Sequence, residues 1–270
     1  MKNLTMNNGI KIPEVGYGTW LVYNNIAYEC VSNALKCGYR HIDSAQDYGN
    51  EVEVGRAIRE SGIPRNEIFL TTKVASHHKS YEDAKKSIEE SLQKLNVEYI
   101  DLLLIHCPCP WSEYDTRNKD YYKENLEVWK AMSEFYERGL VKSIGVSNFT
   151  IDDVKNINDN AKIKVMVNQI PVFIGCTDKR LIDYCLDNEI VVEAYSPIAH
   201  GRSLDNPIIK KMSEKYHTTI PLLCIAYTLQ LGLISLPKAC KKEHMEENFS
   251  PINFVISDED MKLLAMQKEK

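Results

Sequence analysis

The chain predicts an α/β fold, a (β/α)8 TIM barrel, on three observations. Short apolar strand-like runs alternate with helical patterns along almost the whole sequence. Eight such units fit within 270 residues, the usual span of a closed barrel. The first strand-like run, "EVGYGTW", lacks the G-x-G-x-x-G loop that an open dinucleotide-binding sheet would carry there.

Each element has its own signal. "LTMNNGIKIP" reads as an N-terminal hairpin with Asn7-Asn8-Gly9 at its turn, placed to close the barrel bottom. Strands are expected within "EVGYGTW", "YRHIDSA", "IFLTTKV", "YIDLLLIHC", "VKSIGVSN", "KVMVNQI", "IVVEAYSP" and "LISLPK". All are short, and most are rich in Val, Ile and Leu. Between them, "YEDAKKSIEESLQKLN" places Ala84, Ile88, Leu92 and Leu95 at helical spacing. "NLEVWKAMSEFYERGL" repeats the pattern and stops at Gly139. "TDKRLIDYCLDNE", "PLLCIAYTLQLG" and a final "SDEDMKLLAMQK" follow. No Pro/Gly/Ser-rich linker interrupts the series, so one domain spanning 1–270 is expected.

Composition narrows the function classes. A 44% hydrophobic chain with a net charge of −5 is a mildly acidic globular protein. It is expected to bind neither nucleic acid nor an anionic membrane. No run has membrane-spanning length and none resembles a signal peptide, so a cytoplasmic location is expected. The 8 cysteines are scattered without a C-x-x-C pair, which favours reduced thiols. Cys107 and Cys109 form one isolated C-x-C pair with no second pair at zinc-site spacing.

In a barrel the site forms at the C-terminal ends of the strands. The second strand ends in Asp43, with Tyr48 in its loop; the third ends near Lys73, and the fourth at His106. Adjacent strands lie roughly 4.8 Å apart, so these side chains can converge. A free phenol has a pKa of about 10 and gives up its proton reluctantly at neutral pH. An ammonium beside it favours the phenolate, and a carboxylate holds that ammonium in place. A nearby histidine orients a substrate oxygen or shares in proton transfer. Such a set suits protonation of a developing alkoxide, which forms when hydride adds to a carbonyl.

With these residues in hand, the chain resembles the aldo-keto reductase family, in particular its short microbial-type members such as diketogluconate and glyoxal reductases. "GYGTW", "YRHIDSAQDYGNE", "TTKV", "DLLLIHCP", "GVSNF", "NQI", "AYSP" and "LPK…EEN" occur in the family's order. The resemblance implies a tetrad of Asp43, Tyr48, Lys73 and His106 and a bound NADPH, with NADH as the alternative. It implies that Ser147, Asn148 and Gln169 hold the nicotinamide carboxamide and that Tyr195 lies under the ring. Ser196 and Ile198 would follow the pyrophosphate, Lys238 would reach the adenosine 2′-phosphate, and Glu247 and Asn248 would contact adenine.

Departures from the family fall at two places. Ala239 and His244 stand where the family usually has Ser and Arg, and a histidine cannot copy a bidentate guanidinium. Lys241 and Lys242 are near enough in sequence to supply compensating charge. On the substrate side Trp20 is expected as an apolar wall. Cys107 replaces a usual tryptophan, with Trp111 placed to substitute for it. The partner expected is a small carbonyl compound, and the chain is expected to be a monomer without a bound metal. Two other functions compete. A metal-dependent hydrolase would use His41, Asp43, His106 and His77 as ligands. A non-catalytic, cofactor-sensing regulatory subunit would bind cofactor with little turnover. Against the hydrolase, His77 and His78 read as solvated loop residues, His41 as packed within its strand, and Lys73 would place a cation near the metal; against the regulatory subunit stands the intact tetrad.

Overall fold

Eight parallel strands hydrogen-bond in sequence order, and the two outer ones meet to close the barrel. The computed structural model describes residues 2–116 and 119–267. A hairpin of β1 (Asn3–Thr5) and β2 (Lys11–Pro13) precedes β3 (Tyr17–Gly18), α1 (Asn24–Cys37), β4 (His41–Asp43) and α2 (Glu51–Glu60). Then come β5 (Phe69–Val74), α3 (Tyr81–Leu95), β6 (Leu102–Ile105), α4 (Tyr122–Glu137), β7 (Ile144–Ser147) and α5 (Ile151–Asn160). Next are β8 (Val167–Pro171), α6 (Lys179–Asp187), β9 (Val191–Tyr195), α7 (Pro207–Lys215) and α8 (Ile220–Gln230). The described chain finishes with β10 (Ile234–Leu236), α9 (Lys242–Asn248) and α10 (Asp258–Ala265). Every strand overlaps the segment expected of it, with β1 starting one residue early at Asn3 and β8 running one residue further to Pro171.

The closing seam runs between β3 and β10. Ser235 N donates to Glu14 O at 2.9 Å, Gly16 N to Ser235 O at 2.9 Å, and Gly18 N to Pro237 O at 3.0 Å. The seam requires glycine at position 16. A β-carbon there would sit 2.6 Å from both His41 Nδ1 and Leu236 Cδ2. The hairpin crosses the opposite end from the strand C-termini. Asn7 Nδ2 donates to Val165 O at 2.9 Å and Asn8 Nδ2 to Lys142 O at 3.1 Å, just before β8 and β7 begin. Met6 and Ile12 are buried beneath it.

The helices follow their patterns. On α3, Ala84, Ile88 and Leu95 are buried, Ser80 caps the N-terminus through Asp83 N, and Asn96 ends the helix in the left-handed region. On α5, Thr150 and Asp153 form a reciprocal capping box. The strands are buried on both faces, as a sheet covered by helices requires. Alternation along β5 assigns the two faces. Thr72 points outward and donates to Glu51 Oε1 of α2 at 2.7 Å, while Thr71 and Lys73 face the barrel interior. The connection from β9 to α8 holds a short turn at 199–205 and α7, neither of which the sequence patterns marked. Asn206 caps α7 by accepting from Ile208 N and Ile209 N, ahead of a first-turn proline.

Candidate active site

The strand register brings the polar ends together. Asp43, the last residue of β4, lies level with Thr71 of β5, and Lys73 follows two residues on along the same face. The Lys73 ammonium therefore reaches sideways. It donates to Asp43 Oδ1 at 2.7 Å, Asp43 Oδ2 at 2.9 Å and Ser44 O at 2.8 Å, and it lies 3.4 Å from the Tyr48 hydroxyl. Tyr48 ends a one-turn 3-10 segment, Gln46–Tyr48, stopped by Gly49 at φ 67°. His106 directly follows β6, and its ring meets Tyr48 edge to face at 5.5 Å.

Burial sets the charges. Lys73 is fully buried. Burial would lower its pKa, but the Asp43 carboxylate, aided by Tyr48, outweighs this and the shift is upward, so the ammonium persists. Burial pushes the Tyr48 phenol up to about 12, with Lys73 the main opposing influence. The expected effect of the lysine is present but smaller than desolvation, so Tyr48 holds its proton at neutral pH. Burial lowers the His106 pKa against the pull of Asp47.

Beneath this layer lies a second buried carboxyl. Gln169 Nε2 donates to Asp43 Oδ2 and to Glu193 Oε2, each at 2.8 Å. Burial, and then repulsion from Asp43, raise the Glu193 pKa to about 8. His41 is lowered by burial to about 4 and lies within hydrogen-bond reach of Thr71 Oγ1 at 3.2 Å. Burial thus disfavours the charged form of both groups where His41 Nε2 approaches Glu193 Oε1 at 3.5 Å.

A cavity of about 1010 Å³ opens above. Its wall includes Asp43, Tyr48, His106, Ser147, Asn148, Gln169 and Tyr195 at one end. Ser196, Ile198, Lys238, His244, Glu247 and Asn248 also line it. Asn148 is locked in place: its amide donates to His106 O and Ser147 Oγ, each at 3.0 Å, and accepts from the Tyr195 hydroxyl at 2.8 Å. The chain passes through left-handed conformations at Asn148, Ser196, Ala199 and His200, at φ 63°, 54°, 50° and 55°. Non-glycine residues held so cost about 1–3 kcal/mol each and cluster where a ligand is gripped.

Trp20 and Trp111 line the cavity and are partly exposed, at 45% and 43%. Cys107 does not join them, which corrects the expectation placed on it. It is fully buried behind the cavity wall, packed with Cys109 and Tyr121. The chain turns inward directly after His106, and the Trp111 ring, edge-on to His106 at 5.1 Å, occupies the substrate side instead. Lys241 and Lys242 are absent from the lining, and Lys242 pairs with Glu246 at 3.4 Å. His77 and His78 stack on each other in the loop after β5. Among the described residues no group of three or more His, Cys, Asp or Glu side chains could hold a metal ion.

Asp47 and Glu193 are among the residues at the site that were missed in the sequence. Asp47 lines the cavity beside Tyr48; a lone loop aspartate reads as a turn former. Glu193 had a usable signal, an ionisable residue inside an apolar strand, "IVVEAYSP".

A closed barrel with a polar pocket at the C-terminal ends of its strands is the architecture of a barrel enzyme. The Aldo/keto reductase family model matches residues 14–267, and the chain belongs to this family of oxidoreductases. It is 38% identical over 267 residues to the glyoxal reductase of Bacillus subtilis, covering 98% of this chain and 92% of that protein. A solved aldo-keto reductase from a Medee basin deep-sea metagenome library superposes with a TM-score of 0.89 at 38% identity, covering 98% of this chain and 94% of that one. An aldo-keto reductase of Bombyx mori, solved in complex with NADP, gives a TM-score of 0.87 at 32% identity, covering 98% and 92%. Among the described residues no helix is long and apolar enough to cross a membrane.

Proposed function

We propose that this chain is an NADPH-preferring carbonyl reductase that converts aldehydes or ketones to alcohols, with Tyr48 as the proton donor. One observation carries the reading. A protonated phenol faces a large cavity while its oxygen lies 3.4 Å from a buried ammonium that is itself ion-paired to Asp43.

The cavity residues fit a nicotinamide dinucleotide. One cavity is lined both by Tyr48 and by Lys238, and it offers the Tyr195 ring, whose hydroxyl is held by Asn148. Ser147, Asn148 and Gln169 would hold the carboxamide. Gln169 Nε2 is committed to Asp43 and Glu193, so its Oε1 is the atom left for a ligand. Tyr195 would carry the nicotinamide ring, and Ser196 and Ile198 the pyrophosphate. Lys238 and His244 would take the 2′-phosphate, and Glu247 and Asn248 the adenine. Bound NADPH would supply a hydride to the carbonyl carbon.

The chain's own residues then manage the proton. The carbonyl oxygen sits against the Tyr48 hydroxyl, while His106 orients a substrate oxygen. As negative charge develops on the carbonyl oxygen, Tyr48 donates its proton to it. Lys73 stabilises the phenolate left behind, and Asp43 keeps Lys73 charged and aimed. Trp20 and Trp111 supply apolar walls. The relatives named as a glyoxal reductase and as an NADP complex support the substrate class and the cofactor.

A panel of aldehydes and ketones, followed by loss of NADPH absorbance, tests this. The expected result is consumption matched mole for mole by alcohol formed. Failure to reduce any member would end the reading, and equal kcat/KM with NADPH and NADH would remove the stated preference.

A further inference from the structure

Glu193 has no part in the chemistry above, yet it is tied to the tetrad through one side chain. It lies on β9 level with Gln169 of β8 and is fully buried. Gln169 Nε2 spends one N–H on Asp43 Oδ2 and the other on Glu193 Oε2, each at 2.8 Å. A single amide thus joins the two carboxyls. Lys73 makes its hydrogen bonds of 2.7–2.9 Å to Asp43 and to Ser44 O, so its charge is committed to Asp43. One ammonium balances one buried carboxylate, and a second carboxylate beside the first stands uncompensated. Glu193 Oε1 has no hydrogen-bond partner, and His41 Nε2 lies 3.5 Å from it. Oε1 is therefore the atom left to hold a proton, while Oε2 accepts from Gln169. Burial and then the Asp43 charge act in this same direction and raise the Glu193 pKa.

We propose that Glu193 is a positioning residue for the proton donor. With its proton in place it braces Gln169 and leaves Asp43 as the anion facing Lys73. Once ionised it becomes a second anion in the bore and weakens Tyr48 as an acid. This rests on the carbonyl-reductase reading. The route is electrostatic and runs through Lys73. Lys73 is the main group that favours the Tyr48 phenolate, and it is drawn to the Glu193 carboxyl after Asp43 and Tyr48. A further negative charge there makes loss of the phenol proton harder, yet that proton must leave as the alkoxide develops. The rate of reduction should therefore fall as pH rises through the Glu193 titration, while burial still keeps the proton on Tyr48. The charged and titratable groups facing Glu193 are His41 and Asp43 of β4 and Lys73 of β5; Gln169 of β8 faces it without titrating. His41, lowered to about 4, does not titrate in that range.

The test follows a single turnover. Protein loaded with NADPH is mixed with 4-nitrobenzaldehyde, which has no titrating group, and loss of NADPH fluorescence is recorded against pH. The wild-type rate should fall by at least about threefold between about pH 7 and about pH 9.5, the effect of weakening a general acid by about one pKa unit. In Glu193→Gln, which keeps the shape of the protonated acid and cannot ionise, the ratio of the two rates should be close to one. A merely structural role would scale both rates together and leave the wild-type ratio. A flat wild-type profile, or an equal fall in the variant, overturns the proposal. Carbon-13 at the tyrosine ζ-carbon reads the link without turnover or cofactor, with Tyr48 assigned by its loss in Tyr48→Phe. The Tyr48 resonance should move over the same pH range in wild type and stay still in Glu193→Gln. Should that variant fail to fold, the wild-type spectrum decides alone: a Tyr48 resonance that does not move overturns the proposal. A protein that reduces no aldehyde or ketone, but whose Tyr48 resonance moves with Glu193, refutes the carbonyl-reductase reading and leaves the coupling of Glu193 to Tyr48 standing.

Discussion

Replacing Lys73 by methionine tests the centre of the site through both stability and rate. The ammonium is fully buried and makes three hydrogen bonds of 2.7–2.9 Å, two of them to Asp43. Methionine fills similar volume but leaves Asp43, itself only 4% exposed, with Gln169 as its remaining side-chain donor. Breaking a buried ion pair from one side costs about 3–5 kcal/mol, because the stranded charge has lost its solvation and its partner. Removing both charges together, as in Asp43→Asn with Lys73→Met, should restore most of that loss, since a neutral pair needs no such compensation. Urea unfolding of wild type, both single variants and the double variant measures the cycle. The rate should fall as well. Without the ammonium nothing comparable opposes the burial that holds the Tyr48 phenol near 12, so proton donation becomes harder. A loss of about 10²–10⁴-fold in kcat is expected from impaired general acid catalysis. A stability change under about 1 kcal/mol for Lys73→Met, a fraction of the expected loss, would refute the buried-pair argument. A kcat within about threefold of wild type, far short of the general-acid contribution, would refute the link to Tyr48.

Three further outcomes follow from the same geometry. Tyr48→Phe should lower kcat by at least about 10²-fold with the NADPH dissociation constant nearly unchanged; near-normal turnover would remove Tyr48 as the acid. Lys238→Met should cut kcat/KM with NADPH by about tenfold, equivalent to ~1.4 kcal/mol, and leave NADH unaffected; an equal loss with both would place Lys238 away from the 2′-phosphate. Glu193 should make stability depend on pH. Its folded pKa of about 8 lies above the ordinary 4.5, so the folded state keeps a proton that the unfolded state releases, and stability falls as pH rises between these values. His41, lowered from 6.5 to about 4, acts oppositely and only below 6.5. The Glu193 effect should therefore stand alone from about pH 6.5 to 8, and Glu193→Gln should flatten thermal stability there. A wild-type slope that survives in Glu193→Gln would show that another group causes it.

The strands and the polar strand-end residues that converge were legible because both rest on local rules. Apolar runs ending in polar residues mark buried parallel strands, and a barrel places those ends together whatever the side chains are. Asp43, Lys73 and His106 therefore fall at neighbouring strand ends on the sequence pattern alone. Cys107 was misplaced for the opposite reason. Its neighbour His106 faces the cavity, but the path of the loop after β6 turns Cys107 behind the wall and brings Trp111 forward. No periodicity governs an irregular loop. Asp47 stayed hidden because its meaning comes from Ser76, His106 and Trp111, which lie 29, 59 and 64 residues away.

By itself, then, the sequence determined the barrel, the direction of its strands and the residues that end them, since burial and alternation act on neighbours along the chain. Only the tertiary structure decided the protonation states. It set burial against Lys73 at Tyr48, and burial against the charged forms of Glu193 and His41 where the two approach each other. A proton's place depends on every charge and dipole within a few ångströms, and those come from strands and loops that meet only when the barrel closes.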